Sequence, residues 1–73
     1  MNHYFKDVQT LKSVDVYRVL VLFDVRSHPV GHAIKKLLCA GKRGAKDKTQ
    51  DVQEAINSLL RYLEMQTENE NDK

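Results

Sequence analysis

The sequence predicts an all-α fold: a small three-helix bundle completed by oligomerisation. Three observations predict it. Val30, Ala33, Ile34, Leu37 and Leu38 recur at helical spacing, and Val52, Ala55, Ile56, Leu59, Leu60 and Leu63 do so again further on. The stretch 14–23 is apolar nearly all round, so as a helix it needs burial on more than one side. Finally, 73 residues with Cys39 as the sole cysteine leave room for only a modest core and no internal disulfide. Self-association is the expected supplement for a domain of that size.

In chain order, residues 1–12 show no clean period, and Tyr4 and Phe5 are expected to pack over the core edge or to reach a neighbouring chain. Ser13 is a fair N-cap for 14–23, with Asp15 in the first turn. The Val, Tyr and Phe content of that stretch also suits a buried strand. Its length, its cap and the lack of a partner strand favour a helix. Residues 24–28 read as a turn. Ser27 or His28 caps the second helix, and Pro29 suits its first position. Gly41 falls where a left-handed residue closes a helix. Asp47 or Thr49 is expected to cap the third helix, with Asp51 and Glu54 beside its stripe. From Gln66 on there is nothing to bury, so the chain reads as one helical domain, 1–65, and an acidic disordered tail, 66–73.

Charge is segregated. Residues 26–48 carry Arg26, Lys35, Lys36, Lys42, Arg43, Lys46 and Lys48 against Asp47 alone. Residues 49–73 carry Asp51, Glu54, Glu64, Glu68, Glu70 and Asp72 against Arg61 and Lys73. A basic middle and an acidic end suit either an anion site with carboxylates beside it, or the basic patch of one protomer against the acidic patch of another. No apolar run approaches the ~20 residues of a membrane span and no signal-peptide pattern opens the chain, which suggests the cytoplasm. His3, His28 and His32 lack metal-ligand spacing, so no metal centre is expected.

At 100° per residue, His32, Lys35, Lys36 and Cys39 lie opposite the apolar stripe of the second helix. The loop that follows adds Lys42, Arg43 and Lys46 between glycines, where backbone N–H groups and a helix N-terminus can converge on a phosphate. The spacing is not that of a Walker A motif. The candidate ligand-binding residues are therefore His32, Lys35, Lys36, Lys42, Arg43, Lys46 and Asp51. The plain alternative is a solvated basic surface. Asp51 and Glu54 could hold Mg²⁺ through water beside a phosphate, or serve only as charges near a helix start. Cys39 has no recognisable base and acid to make it a nucleophile. The basic helix could also contact a nucleic-acid backbone or a protein, although the aromatic interleaving of single-strand binders is missing.

Gly31-His-Ala-Ile-Lys-Lys-Leu-Leu-Cys-Ala-Gly-Lys-Arg-Gly44, followed by Gln50-Asp-Val-Gln-Glu-Ala-Ile56 and Arg61-Tyr-Leu63, resembles a family of small bacteriophage proteins. That family includes the early nucleotide kinase of T-odd phages, and its pattern runs Gly-Asn-Ala-Ile-Lys-Tyr, Arg-Ala-Gly-Lys-Lys, Asp-Leu-x-Lys-Ala and a closing Tyr-Leu. The resemblance implies a nucleotide-phosphate site built from Lys35, Lys42, Arg43 and Asp51. The chain departs from the pattern at His32, Lys36, Cys39 and Glu54, which stand where the family has Asn, an aromatic residue, Arg and Lys. Those departures fall on the site face. The expectation is a homo-oligomer that binds a nucleotide or cyclic nucleotide second messenger and sequesters it against host defence. A nucleoside-monophosphate kinase is the alternative within the family.

Overall fold

Asp15, Ser27 and a pair of left-handed residues punctuate the chain into three helices. The computed structural model describes residues 4–42 and 45–71, the side chains of 45, 46 and 71 excepted. Its helices are α1 (Val16–Leu22), α2 (His28–Leu38) and α3 (Ala45–Asn71), with no strand among the described residues. The stretch read as helix rather than strand is helical, but Asp15 rather than Ser13 caps it. The Asp15 carboxylate accepts the Arg18 N–H at 2.8 Å, satisfying one of the donors a helix start leaves open.

α1 ends on Asp24, whose φ of 57° is left-handed. The Val25 N–H bonds the Leu20 carbonyl and the Asp24 N–H bonds that of Val21, the paired bonds of a Schellman motif. Ser27, not His28, caps α2, its hydroxyl accepting the Val30 N–H at 3.3 Å. Pro29 is consequently the second helical residue, still within the turn whose N–H groups need no intrahelical partner. Gly41 has the expected positive φ, 79°.

α3 differs from expectation at both ends. It begins at Ala45, so Asp47 lies in its first turn and Thr49 inside it, and neither is the cap. It also runs on through Asn71, past the point where composition predicts fraying. Local side-chain bonds support that extension. Arg61 reaches Glu64 at 3.3 Å and Glu68 at 2.8 Å, and the Thr67 hydroxyl bonds the Leu63 carbonyl. Ion pairs of this kind on one helix face each add a few tenths of a kcal/mol, about 0.2–0.5.

α2 is the middle element. It packs against α3 along its length and meets α1 at Gly31, where Leu20 Cδ1 lies in van der Waals reach; α1 and α3 do not touch. The buried side chains among the described residues are Ala33 (2 % exposed), Ala55 (1 %) and Asp51 (5 %). The apolar residues of α2 divide accordingly: Ala33 is enclosed, while Leu37 and Leu38 remain about half exposed. Tyr4 and Phe5, expected over the core edge, are both largely exposed; Lys6 instead places its ammonium over the Phe23 ring. The outcome is an open row of helices, 45 × 38 × 17 Å, with a radius of gyration of 15.1 Å. A compact domain of this length has about 11 Å. No helix among the described residues is long and apolar enough to cross a membrane.

Gly41 has two reasons to be glycine. Its φ disfavours a side chain, and a Cβ there would stand 3.1 Å from Lys48 Cβ, at the close approach of the loop to α3. Gly41→Ala should therefore lower the unfolding free energy by about 1–2 kcal/mol, and Ser27→Ala by ~1 kcal/mol. Urea denaturation followed by far-UV circular dichroism measures both, and an unchanged midpoint in either variant contradicts the assignment.

Candidate functional site

The seam between α2 and α3 is polar on one side. His32 and Lys36 lie one turn apart on α2, and Asp51, Glu54, Ala55 and Ser58 share a face of α3 at i, i+3, i+4 and i+7. Lys36 Nζ sits 2.7 Å from Glu54 Oε1 and 3.5 Å from Asp51 Oδ1. His32 Nδ1 lies 2.7 Å from the Ser58 hydroxyl. Gln50 donates to the other oxygen of Glu54 at 3.1 Å, steadying that carboxylate.

This arrangement fixes the ionisation of the pair. The hydrogen bond from Lys36, supported by that from Gln50, holds the Glu54 carboxyl below the ordinary glutamate range. The same bond to Glu54 holds the Lys36 ammonium above the ordinary lysine range, against the opposing effect of partial desolvation.

Beside the seam opens a cleft of about 370 Å³ lined by His32, Lys35, Lys36, Cys39, Lys42 and Asp51. That volume lies at the small end of the range for small-molecule sites. A second depression of about 330 Å³ adjoins it through His32 and Lys35, and carries Tyr17, Arg26 and His28 on its walls. Lys35 is held over Tyr17, its Nζ donating to the phenol oxygen at 3.2 Å and lying 5.3 Å from the ring centroid. That contact brings Lys35 no carboxylate. Arg26, in contrast, is bonded to Asp24 at 2.8 Å.

The structure thus brings five of the sequence-derived candidates, His32, Lys35, Lys36, Lys42 and Asp51, around one cleft. It gives them unequal roles. Lys36 and Asp51 face each other across the helix seam, so Lys36 is no free surface cation and Asp51 is no open carboxylate. Glu54 is drawn into the same pair. Lys35 and Lys42 reach no carboxylate in any ion pair found among the described residues. Arg43 lies outside the described residues, as does the side chain of Lys46. The described residues hold no group of three or more His, Cys, Asp or Glu arranged to take a metal ion.

Two residues of the site escape the sequence reading. Ser58 continues the register of Asp51 and Ala55 and could be found from that spacing. Tyr17 could not, because its approach to Lys35 depends on how α1 crosses α2. No protein-family model, curated protein or solved structure matches the chain.

The ion pair gives a stability profile with two edges. The Glu54 contribution is complete above its unfolded pKa of about 4.3 and fades as pH falls through its lower folded value. The Lys36 contribution is complete below about 10.4 and fades as pH rises through its higher folded value. Lys36→Met should lower the thermal midpoint at neutral pH more than Glu54→Gln, because it deprives the buried Asp51 carboxylate of the ammonium facing it. Glu54→Gln should also flatten the acid edge. Equal midpoints for the two variants, or an unchanged acid edge, would remove the pair from the structural account.

Proposed function

We propose that this chain is a small nucleotide-binding protein, working as a homo-oligomer, that holds the phosphates of a nucleotide or nucleotide second messenger and sequesters it without turnover. One observation carries the reading. The cleft presents Lys35 and Lys42, which reach no carboxylate in any ion pair found among the described residues, while Asp51 on the cleft wall and Glu54 beside it both face Lys36. An ammonium in such a setting favours an anion, and phosphate oxygens accept its charge-assisted hydrogen bonds. The adjoining depression, with the exposed Tyr17 ring, offers a surface on which a base can stack.

The resemblance of residues 31–44, 50–56 and 61–63 to small phage proteins that include a nucleotide kinase supports the same ligand class, and with it a counter-defence role in a host cytoplasm. Kinase activity is less well supported. In-line phosphoryl transfer calls for Mg²⁺ held partly by protein carboxylates. Asp51, which lines the cleft, and Glu54 are both engaged with Lys36. Lys36 belongs to the site as the group that occupies them, and His32 as a ring held by Ser58.

Equilibrium titration with ATP, nucleoside monophosphates, cyclic AMP and a cyclic dinucleotide tests the reading, with a single-stranded oligonucleotide as control. At least one of the mononucleotide or cyclic probes should bind, and should bind equally in the presence of a chelator. Lys35→Ala and Lys42→Ala should each weaken that binding by about 10- to 100-fold, the equivalent of a lost charged hydrogen bond of ~1.5–3 kcal/mol. Affinity unchanged in both variants makes the basic segment a solvated surface. Binding of the oligonucleotide alone replaces the proposal with nucleic-acid recognition, and steady consumption of ATP with a monophosphate replaces it with the kinase.

A further inference from the structure

α3 has a second face that its own chain leaves uncovered. Val52, Ile56, Leu59 and Leu63 fall at i, i+4, i+7 and i+11, the alternating spacing of a helix–helix seam. Roughly a third of a turn separates this stripe from the face that Asp51, Ala55 and Ser58 present to α2. The four side chains are between 37 and 59 % exposed, and Leu60 beside them is 54 % exposed. α1 packs on α2 and makes no close backbone approach to α3.

The surface of the whole chain indicates what covers it. The chain exposes 6296 Å², where a folded monomer of 8.4 kDa is expected to expose about 4,600 Å². The excess is about twice the ~800 Å² that each partner contributes to a standard interface. Two alanines, the buried apolar side chains among the described residues, are also far short of what holds a small domain together alone.

Charge then sets the orientation. Lys48 flanks the stripe near the start of α3, and Glu70 lies on its continuation near the end. Parallel helices in register would place Glu70 against Glu70 and Lys48 against Lys48. Antiparallel helices that match Val52 with Leu63 bring Lys48 within about three residues, or ~4.5 Å along the axis, of Glu70 on the other chain. They also oppose the two helix dipoles.

We propose that a second copy of this chain docks on the stripe with its α3 antiparallel, so that Val52 meets the partner's Leu63 and Ile56 meets the partner's Leu59. This inference stands independently of the nucleotide reading, and supplies the interface that the homo-oligomer requires. The cation cleft is lined from α2, the connection that follows it and the polar face of α3, so it stays outside this contact.

Cross-linking tests both the contact and its direction. In a Cys39→Ser background, Thr49→Cys and Gln66→Cys are made in separate full-length chains; both positions are exposed and extend the stripe at its two ends. Antiparallel docking sets position 49 opposite position 66 of the partner, so mild oxidation of the mixture should yield the mixed disulfide, and either chain alone should stay unlinked. The unmodified chain should sediment at an even multiple of 8.4 kDa. Self-linking of either chain alone, no link in the mixture, or sedimentation as one chain or an odd multiple overturns the proposal. Neither cysteine substitution touches a buried side chain, so the result does not depend on a destabilised variant folding.

Discussion

The contact of Lys36 with Asp51 and Glu54 is the constraint on which the rest of this structure depends. Ala33 on α2 and Ala55 on α3 are the buried apolar side chains among the described residues, and two alanines provide little hydrophobic free energy and almost no shape to fix a register. A partly buried ion pair is a poor source of net stability, but removing one partner is costly, which penalises every other alignment of the two helices. His32 against Ser58 repeats the restriction one turn further along. The same contact decides the electrostatics of the cleft. By taking up both carboxylates it leaves Lys35 and Lys42 to set the local sign of charge.

Two consequences follow from building a molecule on so small a contact. Small residues at the seam let the helix backbones approach, and larger apolar side chains are pushed outward to the edges of the row. That is why Leu37, Leu38, Ile56 and Leu63 are exposed in a chain with so few fully buried residues. The faces of α3 have also separated in role. One faces α2 and borders a cationic cleft, and another is apolar and spaced for a helix. The proposed ligand and the proposed second protomer would therefore occupy different surfaces.

Much of the fold was legible in the sequence, where the signal was local. Ser27, Pro29 and Gly41 marked α2 because capping, a fixed φ and a left-handed φ are properties of single residues. Helical periodicity found α3, but not its ends: Asp47 was an attractive cap only for a helix starting later, and the bonds of Arg61 to Glu64 and Glu68 extend the helix where composition alone suggests fraying. For α1, Asp15 displaced Ser13 as cap, and length, a preceding capping residue and the absence of a partner strand together favoured helix over strand. The basic character of the cleft was legible too. The role of Lys36 was not, because a lysine on a helix face looks the same whether it meets solvent or two carboxylates contributed by another helix. Apolar spacing likewise identified the helices without showing which stripe would meet which. Ala33 and Ala55 form the core, whereas the bulkier residues of the same repeats lie outside it.

Lys35 and Lys42, at the cleft, are the groups proposed to hold a phosphorylated ligand. Native mass spectrometry of the protein, purified gently from cells and then incubated with ATP or a cyclic dinucleotide, addresses that most directly. The account predicts an assembly that carries added mass equal to a nucleotide, either retained from the cell or acquired on incubation, and lost on denaturation. A bare assembly in every sample would contradict it.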